Sequence, residues 1–143
     1  MQIGGVMRVS LVTAAPDETA GAAIRKMLDA GVGSVVVCEG SEPVGIFTER
    51  DVLKLAGTGV SFGSIVLRDV MTPRPLTVSA DDSILEAARL MGERALRHLP
   101  VVEGGNLVGI VSIRDVLAYL AERLWSERDD AARDTARALL ERR

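Results

Sequence analysis

The chain has 143 residues and a net charge of −3 at pH 7, with 48% hydrophobic and 26% charged residues, which is typical of a folded globular protein. Its apolar runs are far shorter than the roughly 20 residues that span a bilayer, and no basic, then apolar, leader opens it, so we expect a cytoplasmic protein with no membrane partner. One cysteine and one histidine exclude an internal disulfide and a Cys/His zinc site, and the negative charge argues against general nucleic-acid binding.

The chain contains an internal repeat. An offset of 64 aligns residues 6–53 with 70–117 without a gap, and 17 of the 48 aligned pairs are identical. The longest identical block, Arg-Asp-Val-Leu, occurs at 50–53 and again at 114–117. A unit of about 50 residues buries too little surface to be comfortably stable alone. We therefore expect the two copies to pack together about a pseudo-twofold axis as one cooperative unit.

Each copy predicts the same order of elements, β-α-β-β-α. A short apolar strand at 11–13 or 76–78 precedes an acidic pair that suits a helix start, and apolar residues then follow at the spacing of an amphipathic helix. Two strands rich in β-branched residues, joined by a tight turn, come next. Thr48 or Ser112 then opens a closing helix. The predicted fold class is α+β.

The residues outside the repeat predict a linker and a tail. Glycine and serine dominate residues 57–64, which predicts a loop between the copies. After Leu120, good helix formers and alternating charges predict a C-terminal helix, with Asp129 and Arg133 spaced for an i,i+4 ion pair. The chain then divides into a first motif (1–57), a connecting loop (58–68), a second motif (69–120) and a C-terminal helical extension (121–143).

The most informative motif lies where the last strand of each copy meets the closing helix. It reads G-I-F-T-E-R-D at 45–51 and G-I-V-S-I-R-D at 109–115. One interpretation is structural: Thr48 and Ser112 are good N-cap residues, and an acid three positions later completes a capping box. In that case the motif does no more than start a helix.

The other interpretation of the motif is a binding site. A helix N-terminus favours an anion by roughly 0.3–1 kcal/mol, so phosphate suits the hydroxyl of Thr48 or Ser112. The acids Asp51 and Asp115 can accept both hydroxyls of a ribose, and the adjacent arginines can donate to phosphate. Glycine in the preceding strand leaves room for a flat ring. These residue types suit a ribonucleotide or another adenosyl compound.

With these motifs the chain resembles a tandem pair of cystathionine-β-synthase (CBS) domains. The resemblance covers roughly residues 3–120. It depends on the junction motif in both copies, and on V-M-T-P at 70–73 and R-H-L-P-V-V at 97–102 in the second. It implies two β-α-β-β-α CBS motifs about a pseudo-twofold axis, a regulatory module that binds AMP, ADP, ATP or S-adenosylmethionine in clefts between the motifs, and a homodimer.

The resemblance also implies which residues bind the ligand. The aspartates would hold ribose, the hydroxyl residues would contact phosphate or ribose, strand threonines would flank the base, and the residues at the start of the second copy's central strand would reach phosphate. The ligand-binding candidates are Thr13, Gly45, Thr48, Arg50 and Asp51 in the first copy, and Thr77, Arg97, His98, Pro100, Gly109, Ser112, Arg114 and Asp115 in the second.

The copies differ at the candidate phosphate side. The first copy has Gly33-Ser34 where the second has Arg97-His98, so the second copy is the better candidate for a charged nucleotide. The first copy also has Arg8 in place of the threonine of V-M-T-P. That arginine can supply a charge, and the first cleft can hold a different ligand or none.

Other interpretations remain open. The motif can serve only as a cap in a dimeric interaction scaffold without ligand, or His98 and Asp115 can belong to a nucleotide-hydrolysing enzyme. We expect a binding module, not an enzyme, with no required cofactor and no metal, and with an unidentified protein as a further partner. Cys38 faces apolar neighbours and is expected in the core. Trp125 either covers the edge of the core or anchors an interface.

Overall fold

A computed structural model describes residues 1–126 and 130–141 of the chain. The elements in chain order are a 3₁₀ turn (Ile3–Gly5), β1 (Thr13–Ala14), α1 (Ala20–Ala30), β2 (Ser34–Glu39), β3 (Glu42–Thr48), α2 (Glu49–Thr58), α3 (Leu67–Val70), β4 (Thr72–Pro73), α4 (Ile84–Arg94), β5 (His98–Glu103), β6 (Asn106–Ser112), α5 (Ile113–Ser126) and α6 (Asp130–Glu141). The α+β fold with two β-α-β-β-α units is confirmed, although the strand expected at 76–78 is reduced to a single bridge at Val78.

The two sheets show that the leading segment of each copy crosses to the other copy. In the first sheet β1 runs parallel to β2, β2 and β3 form an antiparallel hairpin, and β4, from the second copy, adds to the outer edge of β3. In the second sheet β5 and β6 form the equivalent hairpin. There Val78 bridges Val101 in parallel, and Arg8, from the first copy, bridges Ile110 in antiparallel. The two copies are therefore interlocked: the leading segment of each pairs with the last strand of the other copy's hairpin.

The two hydrophobic cores interlock in the same way. The first lies among α1, β2 and β3 and includes Leu67, which is fully buried. The second lies among α4, β5 and β6 and includes Ile3, also fully buried. Ile3 thus lies in the first motif along the chain but packs in the second core, and Leu67 belongs to the predicted connecting loop but packs in the first. Packing crosses the divisions drawn along the sequence.

Side-chain caps set where the first helix of each copy begins. Thr19 accepts a hydrogen bond from the Ala22 N–H over 3.1 Å, and Ser83 accepts one from the Leu85 N–H over 3.1 Å. The acidic pairs expected to open these helices lie just before them and cap turns instead. Asp82, for example, accepts from the Ser79 N–H over 2.8 Å. The helices begin two or three residues later than the acidic residues suggested.

The predicted C-terminal helix is present as the end of α5 and as α6. α5 continues without interruption from the second junction past Leu120 to Ser126. Asp129 of the expected ion pair lies outside the described residues, as does the side chain of Arg133. Trp125 is 79% exposed, so it does not cover the core. Cys38 is buried, as expected, and burial raises the pKa of its thiol.

Within residues 1–126 and 130–141, the helices are too short or too polar to qualify as a bilayer-spanning segment.

Candidate functional site

Both strand-to-helix junctions form the predicted helix caps. At the first, the Thr48 N–H donates to Asp51 Oδ2 over 2.9 Å. At the second, the Ser112 N–H donates to Asp115 Oδ2 over 3.1 Å, and the Asp115 N–H donates to Ser112 Oγ over 3.2 Å. The reciprocal pattern is a capping box, which satisfies two otherwise unpaired main-chain donors. The structural interpretation of the motif is therefore correct for both copies.

An open cleft lies beside the second cap, between the two copies. The space within and at the mouth of the cleft is about 590 Å³ and includes open solvent. The second copy contributes the β6–α5 junction and the start of β5, while the first copy contributes the segment before β1 and the loop into β2. The polar and glycine residues that line the cleft are Arg8, Ser10, Gly31, Gly33, Ser34, His98, Ser112, Arg114 and Asp115.

Capping uses only one of the two oxygens of the Asp115 carboxylate. The two hydrogen bonds that the carboxylate accepts from Ser112 both go to Oδ2, whereas Oδ1 lies 3.5 Å from Nε of Arg8. The Asp115 side chain is 15% exposed and that of Arg8 is 53% exposed. A carboxylate has about four lone-pair sites. Asp115 can therefore hold the helix start with one oxygen and accept hydrogen bonds from a ligand in the cleft with the other.

A second, wider cleft adjoins the first and encloses about 1110 Å³, again open to solvent. It adds Glu49 from the first copy and Arg97 from the second, and His98 and Arg114 line both clefts. Burial lowers the pKa of His98 below its ordinary value of 6.5. The positive charges of Arg97 and Arg8 lower this pKa further, whereas the negative charges of Glu49 and Asp115 raise it in part. His98 is therefore mainly neutral at pH 7 and stands between acidic and basic groups from both copies.

The structure brings together only part of the predicted set of ligand-binding residues. His98, Ser112, Arg114 and Asp115 share the first cleft, and Arg97 lies in the adjoining one. Thr13 is in β1, with its carbonyl accepting from Lys26 Nζ over 2.9 Å, and Pro100 is buried in β5. Thr77 precedes the residue that pairs with β5. The remaining candidates, Gly45, Thr48, Arg50 and Asp51, lie at the first junction.

The sequence analysis assigned the candidate binding residues to two sites, one within each copy, whereas the cleft in the structure combines residues from both copies. Asp115 faces Gly33 and Ser34 of the first copy in addition to His98 of its own. Arg8, which the sequence offered as a charge for the first copy's cleft, lies instead against Asp115 of the second. Ser10 and Ser34 were not candidates at all. The missing information was the crossing of the leading segments, which the periodicity of a single chain does not contain.

The glycines of the motif have a packing role that the sequence interpretation did not include. A Cβ on Gly45 would collide with Sδ of Met71, and one on Gly109 would lie 2.7 Å from Sδ of Met7. Each methionine belongs to the crossing segment that pairs with that strand. The space expected to admit a flat ring is thus filled by a methionine side chain in both copies, and this part of the binding interpretation needs correction.

Comparison with known proteins identifies the family. A sequence model of the CBS domain matches residues 3–57 and 67–122. Protein MK0525 of Methanopyrus kandleri is 40% identical over 120 residues, which cover 82% of this chain and 61% of MK0525. The matches to two further curated relatives span 32% and 25% of those proteins.

Solved structures show the same architecture. The CBS domain protein PAE2072 from Pyrobaculum aerophilum, complexed with AMP, is 25% identical with a TM-score of 0.77, and the match covers 85% of this chain and 99% of that one. CBSX2, also in complex with AMP, is 27% identical with a TM-score of 0.75, covering 85% and 96% of the two chains. Because the family model matches each copy of the repeat in turn, the chain belongs to the CBS domain family and carries two copies of the domain.

Proposed function

We propose that this protein is a regulatory sensor of an adenosyl ligand, AMP, ADP, ATP or S-adenosylmethionine, which binds in the cleft at Asp115. The observation that carries the proposal is the open cleft in which one Asp115 oxygen remains available beside Arg8, Arg114 and His98. PAE2072 and CBSX2, relatives of the same fold, were each solved with AMP. The CBS family assignment makes the same class of ligand the first to test here.

Each group around the cleft has a chemical role in this proposal. Oδ1 of Asp115 accepts hydrogen bonds from the ribose hydroxyls, because a carboxylate accepts and does not donate. Arg114 and Arg8 supply guanidinium groups for phosphate, and the N-terminus of α5 adds its partial positive charge. Residues 10–12 also line the cleft, and their backbone groups would flank the base.

Binding at this position couples to the arrangement of the two motifs. The cleft takes residues from both copies, so a ligand that fills it contacts both and favours the arrangement in which those contacts are best. The change it can produce in a partner is limited by its difference in affinity for the two arrangements. This is binding without turnover.

The test is a titration panel of AMP, ADP, ATP and S-adenosylmethionine by calorimetry, with GMP as the control for the base. We expect at least one adenosyl ligand to bind and GMP to bind more weakly. In a melting experiment, a ligand at about 100 times its dissociation constant stabilises the protein by about 2.7 kcal/mol. Absence of binding by all four would overturn the proposal. Release of phosphate from ATP that disappears in a His98→Ala variant would favour the hydrolase instead.

An interaction scaffold without ligand is the second candidate function. The two capping boxes favour it, because starting a helix is enough to explain why the motif occurs in both copies.

Either function is compatible with a homodimer. Leu53 on α2 and Leu117 on α5 occupy equivalent positions of the repeat and are 74% and 53% exposed. We propose that these helix faces pair with a second copy of the chain, which light scattering would show as twice the monomer mass of 15.2 kDa.

A further inference from the structure

The arginine that crosses from the first copy has a fixed backbone and an adaptable side chain. The Arg8 N–H donates to the Ile110 carbonyl over 2.8 Å, and the Ile110 N–H donates back to the Arg8 carbonyl over 3.0 Å. This bridge holds the Cα of Arg8 at the edge of β6, two residues before Ser112. The side chain is half exposed and reaches Asp115 Oδ1 through Nε alone.

The rest of the guanidinium is available. Among residues 1–126 and 130–141, Arg8 makes its ion pair through Nε, and neither Nη1 nor Nη2 has a hydrogen-bond partner. A single, long contact between partly exposed groups is weak and easily exchanged. A phosphate, in contrast, can accept two parallel hydrogen bonds from the planar fork of an arginine.

We propose that Arg8 sets the cleft's preference for a phosphorylated nucleoside by exchanging Asp115 for the ligand's phosphate. The inference rests on the proposed function and adds the chemical class of the ligand. A nucleoside without phosphate must break the contact between Asp115 and Arg8 in order to bind the carboxylate, and it offers the guanidinium no anionic partner as a replacement. A nucleoside 5′-phosphate takes the same carboxylate with its ribose and gives the guanidinium a new anionic partner. The cleft therefore binds the phosphate form more tightly.

The chain contains an internal comparison for this role. Thr72 occupies the position equivalent to Arg8 and pairs with Ile46 in the same register as Arg8 with Ile110. Its side chain is uncharged, so the first junction has no cation at this position. The exchange is thus a property of the Asp115 side only.

The experiment measures AMP and adenosine binding by calorimetry for the unchanged protein, for Arg8→Ala, and for Arg68→Ala as a control. Arg68 is an exposed arginine on α3 that lines neither cleft, so its removal changes the net charge equally. We expect AMP to bind roughly tenfold or more tightly than adenosine in the unchanged protein. Arg8→Ala should lower AMP affinity by about the same factor and leave adenosine affinity equal or higher, because the competitor for Asp115 is gone.

The outcomes separate this inference from the proposed function. If Arg8→Ala weakens AMP and adenosine equally, or changes neither, adenosyl binding stands and the role of Arg8 is overturned. If neither compound, nor any other adenosyl ligand, binds the unchanged protein, the proposed function fails and the inference with it. Arg8→Gln, which keeps the aliphatic stem and a hydrogen-bond donor near the position of Nε but lacks the charged fork, provides a second variant if Arg8→Ala is poorly folded, and the same loss of preference is expected.

Discussion

The two strand-to-helix junctions, at residues 45–51 and 109–115, share a sequence pattern and a backbone geometry but face different surroundings. In each, an aspartate caps its own helix through Oδ2. Oδ1 of Asp115 faces a cleft with Arg8, and Arg114 and His98 line the same space. Across residues 1–126 and 130–141, no basic side chain lies within ion-pair distance of Asp51.

The difference between the junctions comes from the residues that the other copy supplies. Arg8 reaches the second junction and Thr72 the first, although the two occupy the same position in the repeat. The cap is a requirement of the fold and is therefore present twice. Charge in the cleft is not required by the fold, so one copy can have it and the other not. This is why a repeated motif does not imply a repeated site.

The largest expected effects concern the two cores. Phe47 and Val111 are equivalent in the repeat and fully buried. Phe47→Ala should lower the free energy of unfolding by about 3–5 kcal/mol. Val111→Ala should lower it by only about 2 kcal/mol, because valine loses less buried apolar surface than phenylalanine and leaves a smaller cavity. Urea denaturation followed by circular dichroism measures both.

The shape of these transitions tests whether the halves are one cooperative unit. Because Ile3 and Leu67 each pack in the core of the other half, we expect a single transition in both variants, shifted as a whole. Two transitions, of which Phe47→Ala moves only one, would show that the halves unfold independently and would contradict the interlocked description.

The next effect separates capping from binding. Asp115→Ala and Asp51→Ala each remove an equivalent cap, so each should cost about 1 kcal/mol of unfolding free energy. Only Asp115→Ala should weaken AMP binding, by roughly tenfold or more, since only Asp115 has an oxygen facing the charged cleft. Calorimetry and urea denaturation on the same preparations compare the pair. Equal losses of binding in both variants, or none in either, would contradict the assignment of the site to Asp115.

Much of the fold follows from local patterns that a single sequence displays. The repeat is visible as identity at a fixed offset, the hairpins as β-branched runs around Gly40 and Gly104, and the capping boxes as hydroxyl and acid three positions apart. These features depend on residues close together in the chain, for which propensity and periodicity carry the information. The sequence therefore predicts the order and type of the main elements.

The composition of the cleft does not follow from such patterns because it depends on which copy each leading segment joins. Met7 and Met71 are conspicuous identities of the repeat, and their partners Gly109 and Gly45 are too. Nothing within either copy shows that each methionine lies over the other copy's glycine. The same crossing carries Arg8 to Asp115. Pairings between distant segments are decided by tertiary packing, and local patterns do not contain them.

The smallest effect expected is a pH dependence at the start of the central strands, where the second copy has His98 and the first has Ser34. Burial lowers the pKa of His98, with Arg97 and Arg8 acting in the same direction and Glu49 and Asp115 against it. The folded state therefore binds the proton less well than the unfolded state.

The contribution of neutral His98 to the free energy of unfolding is fully present above the ordinary pKa of 6.5 and is lost as pH falls through the folded pKa. The slope is at most about 1.4 kcal/mol per pH unit for one proton. His98→Ser, which installs the first copy's own residue, should flatten the stability profile as the pH falls below about 6.5. Unfolding free energies from urea denaturation across that range measure the slope. A profile that is equally steep in the variant would assign the pH dependence to groups other than His98.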